Sequence, residues 1–274
     1  MNKKNITVFA IAALVLLNVV IAVMIMANRV DNMYHSEKEA KELSAILSEG
    51  GIFIDASALP RSKPDMQVYS SKTSGEADSS FYGLFDGDVN VGNDFSLSYA
   101  ADGYTEPYGD VFPVTDKSAL DELEKTIFSF ARLNRQQSSV VQISYRIASA
   151  EEYGGGQTKV TVYEYVGKIR SGNVITAVLS GGKIVFLSGT AMIVKPTEQY
   201  TAKLCDCFDV LLKEKKYFAV NGKGKMTIAS VEYTYDMCFD VLGTSYLIPA
   251  CTIEYTDGTQ HLYDLVSGDL IRTY

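Results

Sequence analysis

Histidine and aspartate side chains are the first candidates for acid–base or metal chemistry in this sequence, and they are sparsely placed. His35 and His261 are the only histidines among 274 residues, and neither lies in an HExxH or comparable zinc spacing. His261 and Asp264 could orient a serine, but three residues apart on a strand they would point to opposite faces, and no GxSxG sequence accompanies them. Three glycines at 154–156 lack the lysine of a phosphate loop and are typical of a turn. We expect a solvated His35 and a protein without catalytic residues, metal ligands or cofactor.

Four cysteines could form disulfides or bind a metal, namely Cys205, Cys207, Cys238 and Cys251. Cys205 and Cys207 lie roughly 200° apart on a predicted helix, so they could not hold one metal ion together. The other two belong to neighbouring predicted strands. Two interpretations stay open, namely buried apolar side chains or one disulfide between helix and sheet, whose partners are not assigned because four cysteines allow three complete pairings.

The most apolar stretch is 8–27, which contains one polar residue, Asn18, and no charge. Twenty helical residues at about 1.5 Å each match a hydrocarbon core of about 30 Å. Lys3 and Lys4 before it favour a cytoplasmic N-terminus. We therefore expect a single-pass protein of the cell membrane, with a head and anchor at 1–30 and extracytoplasmic C-terminal domains. A cleaved signal peptide is the alternative, but the length of the span and the poor cleavage sites argue against it.

Asn18 gives the predicted span a means of contact with another helix. A hydrogen bond from a lone amide inside the bilayer is worth about 0.6 to 2 kcal/mol. Asn18, Val15, Ala22 and Ile25 are our candidate contacts with a partner helix. A single asparagine is also tolerated in an apolar span, so lateral association is a hypothesis.

Composition and charge indicate a folded exported region and exclude some ligands. With 47% hydrophobic residues and six prolines, the chain can bury a core and form about two domains beyond the anchor. Lys3 and Lys4 precede the span, which leaves 23 of the 25 basic residues against 33 acidic ones, a net charge of −10. This charge argues against nucleic acid and anionic lipid as ligands; the lipid bilayer is expected only as the surroundings of the span.

The elements after the span are predicted as a stalk helix and an extended region over 31–113. Met33, Ala40, Leu43 and Leu47 form a narrow apolar stripe that ends at Gly50, so the membrane helix is expected to continue outward as a stalk. The stalk either pairs with another helix or lies on its own domain. Candidate strands follow at 52–55, 66–70, 81–85 and 95–99.

A first unit of one helix and four strands is predicted over 114–195. Its helix at 118–134 begins with a capping box of Ser118 and Asp121 and has its apolar residues on one face, namely Leu120, Leu123, Ile127 and Ala131. Strands are expected at 140–147, 159–167, 174–179 and 184–193.

A second such unit is predicted over 196–274. Thr197 would cap a helix reaching residue 213, with Tyr200, Leu204, Phe208 and Leu211 on one face. Strands are expected at 225–236, 245–255, 260–265 and 269–273. The turns at 180–184 and 267–271 correspond at an offset of 87 residues, which indicates a repeat. The predicted fold class is therefore α+β, with a single transmembrane helix and stalk followed by tandem helix-on-antiparallel-sheet domains.

Three stretches of the chain resemble the YycI/YycH regulators, namely GGIFIDASALP at 50–60, SFYGLF at 80–85 and FDVLGTSYLIPACTIEYTDG at 239–258. The last unit is also similar to PepSY-like modules. The residues that match these patterns, as fold markers only, are Asp55, Pro60, Pro249, Asp257 and Gly258.

The resemblance implies a function without catalysis. It implies a membrane-anchored extracytoplasmic accessory regulator of the essential two-component sensor histidine kinase that controls cell-wall metabolism in Gram-positive bacteria. The implied partners are that kinase and a related anchored regulator or a second copy. A wall-associated protease inhibitor and a structural subunit of an exported assembly are the alternatives.

Overall fold

The computed structural model describes residues 35–72, 90–91, 96–131, 140–192, 196–221, 224–239 and 244–274. In chain order its elements are α1 (Glu37–Glu49), β1 (Ile52–Phe53), a 3-10 turn (Ala56–Ala58), β2 (Val68–Lys72), β3 (Asn90–Val91), β4 (Ser96–Ala100), β5 (Val111–Pro113), α2 (Lys117–Ala131), β6 (Ile143–Tyr153), β7 (Gln157–Val166), β8 (Ile169–Ser180), β9 (Lys183–Thr190), β10 (Glu198–Tyr200), α3 (Cys207–Asn221), β11 (Met226–Phe239), β12 (Thr244–Tyr255), β13 (Gln260–Asp264) and β14 (Leu270–Thr273).

The predicted fold class is wrong, because strands rather than helix-on-sheet modules dominate the described residues. They are 48% strand and 22% helix, which makes this part of the chain mostly β. The strands predicted at 52–55, 66–70 and 95–99 are present as β1, β2 and β4. The strand predicted at 81–85 lies outside the described residues.

The prediction of a single-pass anchor and of membrane localisation is also wrong for the described residues. No helix among the described residues is long and apolar enough to cross a membrane. The longest, α2 and α3, have 15 residues each, where about 20 apolar residues are needed. The span predicted at 8–27, with Val15, Asn18, Ala22 and Ile25, lies outside the described residues.

The predicted continuous stalk is wrong at Ser36, because α1 begins there with its own cap. Ser36 has extended backbone angles, φ −71° and ψ 161°. The Glu39 N–H donates to Ser36 Oγ at 3.2 Å and the Ser36 N–H donates to Glu39 Oε2 at 2.6 Å, a reciprocal capping box that satisfies two free donors. The predicted apolar stripe is present, since α1 buries Ala40, Leu43 and Leu47.

The described residues form two compact units. The first unit holds those at 35–65, Asp206–Val231 and Ile253–Thr259, and the second holds those within Met66–Cys205, Glu232–Thr252 and Gln260–Tyr274. Residues 196–274, predicted as one unit, are divided between them. In the first unit α1 contacts α3 and β1, and β1 runs parallel to β11 with Ile52 opposite Met226.

Helix α3 begins ten residues later than predicted. Residues Glu198–Tyr200 form β10, which pairs antiparallel with β2. The α3 cap is Asp206, whose Oδ1 accepts from the Asp209 N–H at 2.9 Å. Thr197 and Leu204 therefore precede the helix, and the side chains that α3 buries are Cys207, Val210, Leu211, Glu214 and Phe218.

The core of the second unit is built on the antiparallel series β6, β7, β8 and β9, as predicted. Helix α2 contacts β6; its Ile127 is buried in the core, and Leu120 and Leu123 pack against the same cluster. The helix is capped by Asp116, whose Oδ2 accepts from the Ala119 N–H at 2.9 Å, instead of by the predicted Ser118–Asp121 pair.

Strand β9 passes so close to β8 that only glycine fits at residue 189. Gly189 has φ +143°, and a Cβ there would lie 2.1 Å from the Val174 carbonyl oxygen. Strand β4 pairs with the other edge of β9, where Leu97 lies opposite Gly189. Leu97 and Tyr99 of β4 are buried in the core.

Candidate protein-contact surface

Strand β5 lies at the end of the strand order of the second unit. It pairs antiparallel with β6, with Phe112 opposite Glu152. The Gly154 N–H donates to the Asp110 carbonyl at 3.0 Å and the Val114 N–H donates to the Ala150 carbonyl at 2.9 Å. Within the described part of the chain β6 is its only strand neighbour, so the opposite edge of β5 carries no strand there.

The ladder fixes which backbone groups of β5 point away from β6. In an antiparallel pair, residues alternate between those that bond across the ladder and those that do not. Because residues 110 and 114 bond to β6, residue 112 bonds as well, and Val111 and Pro113 face the other way. The outward groups are the Val111 N–H, the Val111 carbonyl and the Pro113 carbonyl, since proline has no N–H.

The turn between β6 and β7 supports the segment that leads into β5. Residues 154–156 form this turn, as predicted, and the Gly155 N–H donates to the Tyr108 carbonyl at 3.3 Å. A Cβ on Gly155 would come within 3.2 Å of the Tyr108 ring. The missing side chain therefore lets the ring lie directly over the turn.

Three large apolar side chains of this segment are exposed. Tyr108 is 68% exposed, Val111 49% and Phe112 58%. We call these three residues the edge patch. Single exposed apolar residues are normal on protein surfaces. Here three of them lie within five residues at an edge strand, on both faces of β5, which favours a contact with another protein segment.

Acidic residues lie close to the edge patch in sequence and across the ladder with β6. Residues 102–117 contain four acidic residues and one lysine. The exposed acidic side chains closest in sequence or pairing to the patch are Glu106, Asp110, Asp116 and Glu152, which we call the acidic rim. Such a rim favours a partner with positive charge.

The side chain of Glu164, in the same unit, is buried and not accessible to a ligand. The carboxylate of Glu164 is 1% exposed and accepts four hydrogen bonds. Its Oε1 accepts from Ser171 Oγ at 2.9 Å and Asn173 Nδ2 at 2.7 Å, and its Oε2 accepts from Tyr145 Oη at 3.0 Å and the Met192 N–H at 2.6 Å. Burial raises the pKa of Glu164, while these four donors act in the opposite direction. The arrangement joins three strands and the segment after β9.

His35 is not the solvated residue that the sequence led us to expect. Its ring stacks on Phe208 with centroids 3.7 Å apart and planes at 7°, and its Nε2 lies 3.3 Å from Asp206 Oδ2. These contacts connect the start of α1 to the cap of α3. His261 is buried in β13, and the Asp264 carboxylate accepts from the Val266 N–H and the Ser267 hydroxyl in the following turn.

The four cysteines are present as thiols and not as disulfides. Cys207 and Cys251 are buried, and Cys205 and Cys238 are half-buried. Cys207 Sγ lies 3.6 Å from the Pro60 carbonyl, a contact within the first unit. Among the described residues no group of three or more metal-ligating side chains is found.

Sequence reasoning found the turn at 154–156 and missed the edge patch and Glu164. Strand β5 has three residues, too few for an alternating pattern. Glu164 lies at an ordinary position of a strand, and its donors come from residues 145 to 192. Only the three-dimensional structure brings those donors together.

Comparison with known proteins gives remote likenesses. No family model matches the chain, and no curated protein does. An uncharacterized protein from Eubacterium rectale matches with a TM-score of 0.41 and 13% identity, over 81% of this chain and 91% of that one. The PepSY-containing C-terminal domain of YpeB from Bacillus megaterium is another structural neighbour, with a TM-score of 0.32 and 12% identity over 88% and 98%. At these scores neither likeness carries an argument about this chain.

Proposed function

We propose that this chain is a non-catalytic regulatory protein that acts by direct contact with a sensor histidine kinase of cell-wall metabolism. The edge patch is the observation that supports a contact function. The resemblance to the YycI/YycH regulators supplies the identity of the partner.

The edge patch has the composition and rigidity of a contact site. Tyrosine and phenylalanine are enriched at protein interfaces, and Tyr108 and Phe112 are its two aromatic residues. The backbone of Phe112 is held by the ladder with β6, and that of Tyr108 by the hydrogen bond from the Gly155 N–H. A surface that is ordered before binding loses less conformational entropy on association.

Contact with such a surface is sufficient for regulation. A protein that binds one conformation of a kinase more tightly than another shifts the kinase towards that conformation. Coupling free energies of about 1 to 3 kcal/mol, or about 5- to 150-fold in affinity, are usual for such effects.

Site-specific photo-crosslinking from the full-length chain in its native cells tests the proposal. A photoreactive phenylalanine analogue at Phe112 should crosslink to the kinase, identified by mass spectrometry of the adduct. The matched control carries the analogue at Lys168, an exposed residue of the turn between β7 and β8. Equal kinase adducts from both positions, or none from Phe112, would refute contact through this surface.

Kinase phosphorylation provides the functional measurement. Phe112→Ser removes the central aromatic side chain and, because Phe112 is mostly exposed, should leave the fold unchanged. Phosphorylation of the kinase should change in Phe112→Ser cells and stay at the wild-type level in Lys168→Ser cells. A folded Phe112→Ser protein that regulates like wild type contradicts the proposal.

A further inference from the structure

We infer that the edge patch binds an extended segment of its partner as an added strand paired with Val111, and that this segment has an apolar centre with lysine or arginine on both sides. The inference rests on the proposed function, because it specifies how a protein partner is held.

Backbone groups provide the first argument. The Val111 N–H and carbonyl both point away from β6, which is the pattern that an incoming antiparallel strand needs to exchange two hydrogen bonds with one residue. The Pro113 carbonyl can accept a third. Proline is tolerated on an edge strand because its ring takes the place of an outward N–H.

Side chains provide the second argument. Successive residues of a strand point to opposite faces, so Val111 and Phe112 offer apolar surface on both faces of β5. An apolar centre in the added strand would cover both side chains. The segment beyond that centre would meet the acidic rim, which favours lysine and arginine there.

The same charges argue against a second copy of this chain as the occupant. If β5 of two copies paired, Asp110 and the rest of each acidic rim would approach the like-charged rim of the other copy, and like charges across a strand pair are destabilising. Both strands would also lack the N–H of Pro113. A basic segment of a different protein avoids both problems.

A labelled peptide, Lys-Lys-Val-Thr-Val-Lys-Lys, is the probe, titrated by fluorescence anisotropy against the full-length chain. Val111→Pro removes the outward N–H without touching the bonds to β6, and Val111→Thr is the matched control that keeps it. Loss of one or two hydrogen bonds predicts about tenfold weaker peptide binding to Val111→Pro, and binding to Val111→Thr should equal that of wild type. Circular dichroism checks that both variants are folded.

Two altered peptides test the pairing and the charge. A peptide N-methylated at the central threonine cannot donate to the Val111 carbonyl, and a peptide with glutamate for lysine meets the acidic rim with like charge. Both should bind at least about tenfold more weakly than the original peptide. Equal binding of the methylated peptide, or equal loss in Val111→Pro and Val111→Thr, overturns strand addition. Equal binding of the glutamate peptide overturns the basic flanks.

The results separate this inference from the proposed function. A kinase crosslink from Phe112 together with normal binding of the methylated peptide overturns strand addition and supports the proposed contact. Strand-paired peptide binding without any kinase crosslink supports the inference and refutes the kinase as partner.

Discussion

A single buried residue, Glu164, holds together parts of the second unit that are far apart in sequence. Its four donors come from β6, from β8 and from Met192 after β9. Both oxygens accept two hydrogen bonds each, and of the four partners only the hydroxyls of Ser171 and Tyr145 could accept from a donor at this position. A residue with this role is more sensitive to a change of hydrogen-bonding type than to a change of volume.

Glu164→Gln should therefore destabilise the protein although it is nearly isosteric. The amide NH₂ of glutamine must face one of the two pairs of partners. At the pair Tyr145 and Met192, the Met192 N–H can only donate; at the pair Ser171 and Asn173, the Asn173 amide would have to turn over and give up the bond from its Nδ2. Each buried group left unsatisfied costs about 1 to 3 kcal/mol. Urea denaturation at constant pH measures the loss; a variant as stable as wild type would contradict the assigned role.

The pH dependence of stability follows from the raised pKa of Glu164. The folded protein keeps the proton at pH values where the unfolded chain, with a pKa of about 4.3, has lost it. The stability that this proton contributes is complete below about pH 4.3 and is lost as pH rises through the folded-state pKa. The unfolding free energy of wild type relative to Glu164→Gln should thus decrease from about pH 4 upwards; a constant or increasing difference would show that burial does not dominate.

Gly189 is the second residue whose surroundings restrict substitution, because a side chain there would collide with the backbone of β8. Gly189→Ala would place its Cβ 2.1 Å from the Val174 oxygen and 2.8 Å from Ile175 Cα, both backbone atoms. We expect the free energy of unfolding to fall by more than about 4 kcal/mol, as for other substitutions that cause severe steric conflict. Gly182→Ala is the control, since Gly182 also has a positive φ, +76°, but its Cβ would meet nothing within 4 Å; it should lose only about 1 to 2 kcal/mol. Thermal unfolding that gives equal losses at both glycines would contradict the proposed close approach.

At the scale of elements, helix α3 offers a test within two adjacent residues. Leu211 is fully buried and Leu212 is 40% exposed. Leu211→Ala should cost about 2 to 5 kcal/mol, as for other buried leucines, whereas Leu212→Ala should stay within about 0.5 kcal/mol of wild type. Chemical denaturation measures the stability of the two variants. Similar losses of stability would mean that the helix is rotated from its observed position.

The sequence predicted elements well where their own residues decide the structure. Strand β7 alternates buried and half-buried residues, and α2 has Leu120, Leu123 and Ile127 on one face; both were predicted from periodicity. The region around Thr197 was predicted wrongly, because Tyr200, Leu204 and Phe208 also have helical spacing. Residues Glu198–Tyr200 instead pair with β2, about 130 residues earlier in the chain, and no local pattern reveals such a partner.

The candidate site was less predictable for a related reason. The exposure of Tyr108 and Phe112 depends on what the rest of the chain leaves uncovered, and Gly155 acquires its role only because the 105–113 segment returns to the turn. The contacts of His35 likewise depend on Phe208, which is distant in sequence. Sequence periodicity predicts single helices and strands, but it does not predict contacts between segments that are distant in sequence.

At the scale of the whole molecule, the two units are assembled from alternating pieces of the chain. The fragment 114–195, predicted as a unit, lacks β4, whose residues pair with β9 from Ser96 opposite Thr190 to Ala100 opposite Phe186. It also lacks β5, the partner of β6. The excised fragment should therefore be largely unfolded by circular dichroism and NMR, and the fragment 96–195 should show more structure. A cooperatively unfolding 114–195 fragment would show that it is an autonomous domain.

The parallel pairing of β1 with β11 has a consequence for the time course of biosynthesis. Ile52 and Met226 are opposite each other, yet 174 residues separate them in the chain. At a translation rate of about 5 to 20 residues per second, β1 waits about 9 to 35 s for its partner. During that interval the apolar stripe of α1 has no α3 to pack against. The nascent chain should therefore be a chaperone client until its last quarter has left the ribosome.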